Sequence, residues 1–338
     1  MSVCRQTLCL AGVFVGMLSA TPGRAEQGDE SALMQLHSEH AMNAIFGLPA
    51  VAARPVQSRE WQVSLEHSNQ FISNLADGES LLLDGETTQV TLRHRQRLSA
   101  CWQGEVVLPF FQHSGGEFDR AIDDWHQFFG LPDAGRDTFP FDQLTYRYAD
   151  ESGERVRVDS PESGVGDISV SVQRTLSCQA TADTTGAEPI VRVGLKLPTG
   201  SVSELRGTGR VDTYVDIQSP VWSNGGRWRA GASIGMLYAG NNERLAPQRN
   251  LVVFGAAGSQ FRITQRYRIM MQLDWHSPFY RSALTELNDP TVVFSAGLRY
   301  LLGRKQTLEL TISEDVAVET APDIVARLAW TYRPDEGR

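Results

Sequence analysis

From about residue 60 to the C-terminus the chain alternates apolar and polar residues. Only a β-strand with two chemically different faces uses a period of two. In YRIMMQLDW, Tyr267, Ile269, Met271, Leu273 and Trp275 fall on one face, and Arg268, Gln272 and Asp274 on the other. VRVGLKL, RVDTYVDIQ, TLELTISED and DIVARLAWTY repeat the pattern. About twelve such segments begin near residues 60, 87, 103, 166, 189, 210, 228, 250, 267, 290, 306 and 322. They run roughly 9–13 residues, against about 5–6 in soluble strands.

The links between segments also alternate. Short ones fall at 99–102, 219–227, 264–266 and 303–305, with an intermediate one at 177–188. Longer ones fall at 70–86, 113–165, 198–209, 239–249, 277–289 and 314–321. Long strands, one apolar face, an even count and alternating links together predict an all-β, up-and-down antiparallel transmembrane barrel of about 12 strands. A soluble sandwich would also alternate, but its aromatics would scatter. Here Trp61, Trp228, Trp275, Trp330, Tyr238, Tyr267 and Tyr300 take outward positions, mostly near strand ends, as interface girdles do.

The N-terminus carries Arg5, an apolar run from Leu8 to Leu18 and small residues ending at Ala25. That run is too short for a membrane helix, which needs about 20 residues, and it reads as a secretory signal. The expected organisation is therefore a signal peptide over 1–25, a periplasmic segment over 26–58 and the barrel over 59–338, in the outer membrane of a Gram-negative cell. The expected surroundings are outer-membrane lipid, lipopolysaccharide and the barrel-assembly machinery. A net charge of −9 argues against a nucleic-acid partner, which leaves a basic stripe.

NAIFGLPA, LLLDGET, LPFFQHSGGEFDRAIDDWHQFFGLPDAGRD and GDISVSVQRTL followed by VRVGLKLPTGS carry a resemblance. The chain resembles the proteobacterial family catalogued as the domain of unknown function 3187, over nearly all of its length after the signal. The central segment is the most specific part, with its H-x-G-G-x-F-D start, W-H pair and F-G-L-P end. The resemblance implies an outer-membrane barrel and no established activity. Two departures are Glu117 within the first motif and the RPDEGR run past Tyr332.

That central segment also breaks the period. Phe118, Ile122, Trp125 and Phe129 lie at helical spacing, after Gly115-Gly116 and before Leu131-Pro132. A short helix over 117–130, in the longest outer loop, is the expected plug or constriction, with His113, Asp119 and His126 beside it. Asp119, Asp123 and Asp124 form a weak calcium candidate on its polar side; a solvated acidic face is the plainer reading. Neither a cofactor nor a firm metal site is expected. A lipid hydrolase would need a His and a Ser on one strand face, whereas His113 and Ser114 are adjacent and point apart. The expectation is therefore a non-enzyme.

The inward faces are richer. Arg93, Arg95 and Arg97 stand in a row, followed by Arg192, Lys196, Arg229, Arg262, Arg268, Arg299 and Arg327. Glu66, Glu105, Asp212, Asp216, Asp274 and Glu309 face them. Such charges must be paired or bathed in water. Two readings follow: a cationic, porin-like pore passing small polar or anionic solutes, or a closed structural or adhesive barrel filled by ion pairs. The lipid hydrolase stands behind both. Cys101 and Cys178, the two cysteines left after the signal, sit where the third strand begins and the fourth ends. A disulfide at the periplasmic rim is expected.

Overall fold

The computed structural model describes residues 32–36, 40–51, 56, 58–116, 140, 142–176, 188–224, 226–242, 244–245, 247–316, 320–322 and 324–334. Its elements are α1 (Ala41–Ala44) and then β1 (Arg59–Ala76), β2 (Glu79–Arg97), β3 (Trp102–Ser114), β4 (Thr145–Asp150), β5 (Gly153–Val158), β6 (Glu162–Val165), β7 (Ser169–Thr175) and β8 (Ile190–Lys196). They continue with β9 (Asp212–Gln218), β10 (Trp222–Asn224), β11 (Trp228–Tyr238), β12 (Leu251–Arg262), β13 (Tyr267–His276), α2 (Thr285–Asn288), β14 (Thr291–Leu301), β15 (Gln306–Asp315) and β16 (Ile324–Tyr332).

Twelve of these strands close a ring. Antiparallel ladders run β1–β2–β3–β7–β8–β9–β11–β12–β13–β14–β15–β16 and return from β16 to β1, where Trp61 faces Tyr332 and Asn69 faces Ile324. Closure leaves the wall without an edge, so every wall strand has a neighbour on both sides. The alternation has its expected effect: from Val325 to Thr331, β16 is buried and exposed in strict turn. Leu310, Val193 and Ile234 are each more than half exposed on the outside. Around one end run Trp61, Trp102, Trp330 and Tyr332, and Tyr267 stacks on Tyr300 with ring centres 4.8 Å apart. Short β2–β3, β12–β13 and β14–β15 connections lie at this end, called here the turn end; the opposite end is the loop end.

Two lengths depart from the sequence expectation. The link expected over 70–86 is ladder: β1 and β2 run 18 and 19 residues and meet at Asp77-Gly78. Both turn residues have positive φ, 45° and 81°, which matches the right-handed twist of a two-residue hairpin. The link expected over 113–165 contains β4, β5 and β6. β4 pairs with the outer part of β2, and β5 with β4, so a small sheet rises from the wall at the loop end.

In the other direction, β7, β8 and β9 are only seven residues each. The cause on β7 is Pro109, which has no N–H for the ladder. Val107 pairs with Ser169 and Phe110 with Val165, so three residues oppose two between them. Gly166 N donates to Pro109 O at 2.9 Å, and the bulge turns Asp167 into the interior.

Candidate functional site in the barrel lumen

The register places opposite charges directly across from one another inside the wall. Arg95 faces Glu60 on one side and Glu105 on the other, Arg192 faces Asp216, Lys196 faces Asp212, Arg299 faces Glu309, and Arg327 faces Glu66. The contacts are close: Arg95–Glu60 2.6 Å, Arg95–Glu105 3.0 Å, Arg192–Asp216 2.8 Å, Lys196–Asp212 2.7 Å, Arg299–Glu309 2.9 Å and Arg327–Glu66 2.8 Å. Glu105 also draws Arg93 to 3.7 Å and Arg192 to 3.5 Å. All these side chains are buried. Cross-strand ion pairs thus form a belt, and each desolvated charge has a counter-charge beside it.

The belt corrects the expected cationic excess. Among the described residues the buried cations are Arg93, Arg95, Arg192, Lys196, Arg229, Arg299 and Arg327, and the buried carboxylates number ten. Sequence reasoning passed over Glu60 and Asp167, although both are in phase with the polar face. Glu60 holds Arg95 and also Arg333, at 2.5 Å; Asp167 holds Lys196 at 2.5 Å. Arg97 leaves the row: it is exposed at the turn end, where its Nε donates to Ser99 O at 3.1 Å. Arg262 and Arg268 face each other across β12 and β13, half-buried at that end. Asp274 is half-buried and accepts from Gln272 Nε2 at 2.9 Å.

The lumen is occupied. Residues 32–36, 40–51 and 56 belong to the segment expected in the periplasm, yet they lie inside the wall. Near the turn end, Leu33 and Ala32 approach Gly231. Met34 then donates its N–H to Gln272 Oε1 at 2.7 Å and accepts from Gln272 Nε2 at 3.2 Å. At the loop end, α1 places Ala41 N on Gln70 Oε1 at 3.0 Å and Met42 O under the Tyr280 hydroxyl at 2.5 Å. The chain then turns back. Lys196 Nζ donates to Ile45 O at 3.2 Å, Arg192 Nη2 to Ala50 O at 2.6 Å, and Val56 N reaches Gln103 Oε1 at 2.7 Å on the first turn-end residues of β3. Gly47 permits the reversal: its φ is +53°, and a Cβ there would sit 2.8 Å from Lys196 Cδ.

An apolar cap covers the apex. Met42, Ile45 and Phe46 pack with Leu81, Leu83, Tyr146, Tyr148 and Val156 of the small sheet and with Phe279, Tyr280 and Leu284 before α2. Phe46 stacks on Phe279 at 4.2 Å. Burial, and the Glu79 carboxylate that its hydroxyl meets at 3.1 Å, push the Tyr148 phenol well above its ordinary pKa. Burial also raises Tyr280, so both hydroxyls stay protonated donors.

The family model for DUF3187, a protein of unknown function, matches residues 13–333. The chain belongs to that family. The curated proteins include no match to this DUF3187 chain. Among solved structures it is similar to the CymD monoaromatic hydrocarbon channel, at 9% identity and TM-score 0.42, over 93% of this chain and 98% of that one. It is similar to the NanC porin at 10% identity and TM-score 0.43, over 81% and 100%. It is also similar to the P. putida toluene transporter TodX at 9% identity and TM-score 0.40, over 89% and 94%.

The family's most specific segment is only partly placed. Phe118, Asp119, Ile122, Asp123, Asp124, Trp125, His126 and Phe129 lie outside the described residues, so the expected plug helix and calcium candidate do too. His113 is buried, with Nδ1 2.9 Å from Thr87 Oγ1 and its ring between Phe111 and Tyr146. Ser114 follows it on the other face, at the end of β3. Gly115 and Gly116 end that strand, and a Cβ on Gly115 would meet Asp142 O at 2.6 Å.

Proposed function

We propose that this DUF3187 protein is an outer-membrane barrel stoppered by its own residues 32–56, which passes small polar solutes once that segment leaves. The observation that carries the reading is the hold on the segment: wall side chains bind it at Met34, Ala41, Met42, Ile45, Ala50 and Val56. The apolar exterior and the closed ladder suit lipid, where each backbone group needs a partner within the protein. Lipid and lipopolysaccharide would surround that belt after insertion by the barrel-assembly machinery. Both ends of the wall, Arg59 and Tyr332, lie at the turn end, which we place in the periplasm after removal of a signal peptide over 1–25. With buried acids outnumbering buried cations among the described residues, the reading carries no anion preference.

The closed structural barrel is the second reading, favoured by the apolar cap over the apex. Single-channel recording of the folded protein, before and after proteolytic release of the segment, separates the two. A lipid hydrolase draws no support from His113, whose Nδ1 is engaged with Thr87.

The expected disulfide belongs to the same reading. Thr175 N donates to Cys101 O at 3.1 Å, which brings the end of β7 against the β2–β3 turn. Cys178 lies three positions further on, outside the described residues. The bond would close a loop of about 77 residues (178 minus 101), worth roughly 4 kcal/mol in the chain-entropy model. Mass spectrometry without reductant should recover the linked Cys101 and Cys178 peptides; both thiols alkylated would rule the bond out.

A further inference from the structure

The wall addresses the main chain of its occupant more than its side chains. Gln272 sets its carboxamide against the peptide group of Met34, accepting at 2.7 Å and donating at 3.2 Å. Gln70 and Gln103 accept from Ala41 N and Val56 N. Arg192, Lys196 and Tyr280 donate to the carbonyls of Ala50, Ile45 and Met42. Every residue except proline offers the same N–H and C=O, so these contacts are blind to most of the occupant's sequence. Occupant side chains are met at fewer points: Arg95 Nη2 donates to Gln35 Oε1 at 2.5 Å, Thr311 Oγ1 meets Met34 Sδ at 3.7 Å, Phe46 stacks on Phe279, Ala256 packs by Leu33 and Val51, and the apolar cap takes Met42 and Ile45. Arg192 and Lys196 divide their donors between belt carboxylates and the occupant's carbonyls, while glutamines accept its N–H groups.

We infer that the lumen is a binding channel for short peptides that fold back on themselves, of which residues 32–56 are the resident copy. This rests on the stopper reading above. A mobile peptide of similar length would exchange with the resident segment by taking over the same amide contacts. Each contact is worth a modest amount singly, so affinity comes from their sum along the chain and tolerates changes of side chain.

The test uses the full chain, folded with its segment in place and carrying a protease recognition sequence at Gln57. After cutting, binding of labelled synthetic peptides is measured by anisotropy. The probes are residues 32–56, a scrambled sequence that keeps Gln35, Phe46 and Gly47 in place, and the native sequence N-methylated at Met34, Ala41 and Val56. If the cut segment stays bound, the Gln272→Leu background, which loses both bonds to Met34, frees it. The native and scrambled peptides should bind within about tenfold of each other, and the N-methylated one roughly tenfold or more weaker, as loss of three hydrogen bonds implies. Native binding without scrambled binding, or N-methylation without effect, would overturn the inference while leaving the stopper intact. A protein that stays closed after the segment has left would instead sink the stopper reading.

Discussion

Glu105→Ala should destabilise the barrel by about 3–5 kcal/mol, the range for stripping one partner from a buried ion cluster. Glu105 is the shared anion of three guanidinium groups: Arg95 at 3.0 Å, Arg192 at 3.5 Å and Arg93 at 3.7 Å. All four side chains are buried. Removing the carboxylate takes the central counter-charge from three cations on β2 and β8. Glu60 and Asp216 would still hold Arg95 and Arg192. The comparison is Glu154→Ala, which breaks a 2.9 Å pair with Arg147 that is about 40% exposed. Exposed pairs contribute about 0–1 kcal/mol. Urea unfolding in lipid vesicles should therefore rank the two variants far apart. Equal midpoints would mean that the belt does not hold the interior together.

The second large effect is on conductance. The intact protein should hold a planar bilayer near its baseline current, because the segment's described residues occupy the lumen and Met42, Ile45 and Phe46 pack into the apolar cap. Cutting at Gln57 and washing out the segment should produce discrete current steps, with mean current rising at least about tenfold. The cleared lumen is lined by polar, internally paired groups that water can wet. Any selectivity should lean toward cations, since among the described residues ten buried carboxylates outnumber seven buried cations. A strongly anion-selective current would revive the cationic lining inferred from the arginine row. Persistent silence after the segment has gone would favour the closed structural barrel.

Most of the wall was legible before any coordinates, because a transmembrane strand must alternate and twelve segments do. The interior was only half legible. Alternation turns Arg93 and Arg95 inward, but their partners depend on register between strands. Glu60 and Glu105 flank Arg95 only once β1, β2 and β3 are aligned. The β1–β2 hairpin could have been found from Asp77-Gly78, a strong hairpin signal, although Phe71-Ile72 and Leu81-Leu82-Leu83 beside it interrupt the alternation. It was read as a loop because the extension outruns the usual membrane-spanning length.

The stopper left the weakest trace. Residues 32–51 are apolar without a period of two, and nothing local says that they enter a lumen. Their placement depends on Gln70, Gln103 and Gln272, the last 238 positions from Met34. Long-range amide contacts of this kind leave no periodic mark. The aromatic helix pattern at 117–130 drew the expectation of a plug because it is the one conspicuous break in a chain of strands.

Whether residues 32–56 occupy the lumen is most directly answered by cross-linking. A Cβ built on Gly231, on the inner face of β11, would stand 3.8 Å from Ala32 Cβ. That is the usual separation across a disulfide, about 3.8 Å. In protein extracted from intact membranes and carrying Cys101→Ser and Cys178→Ser, the pair Ala32→Cys and Gly231→Cys should oxidise to a single intramolecular bond, seen as one linked peptide by mass spectrometry. The pair Ala32→Cys and Ser152→Cys, with its second position in the β4–β5 turn, should not link. Efficient bonding of the first pair alone is the expected result; free thiols at both Ala32→Cys and Gly231→Cys under the same oxidant would contradict an occupied lumen.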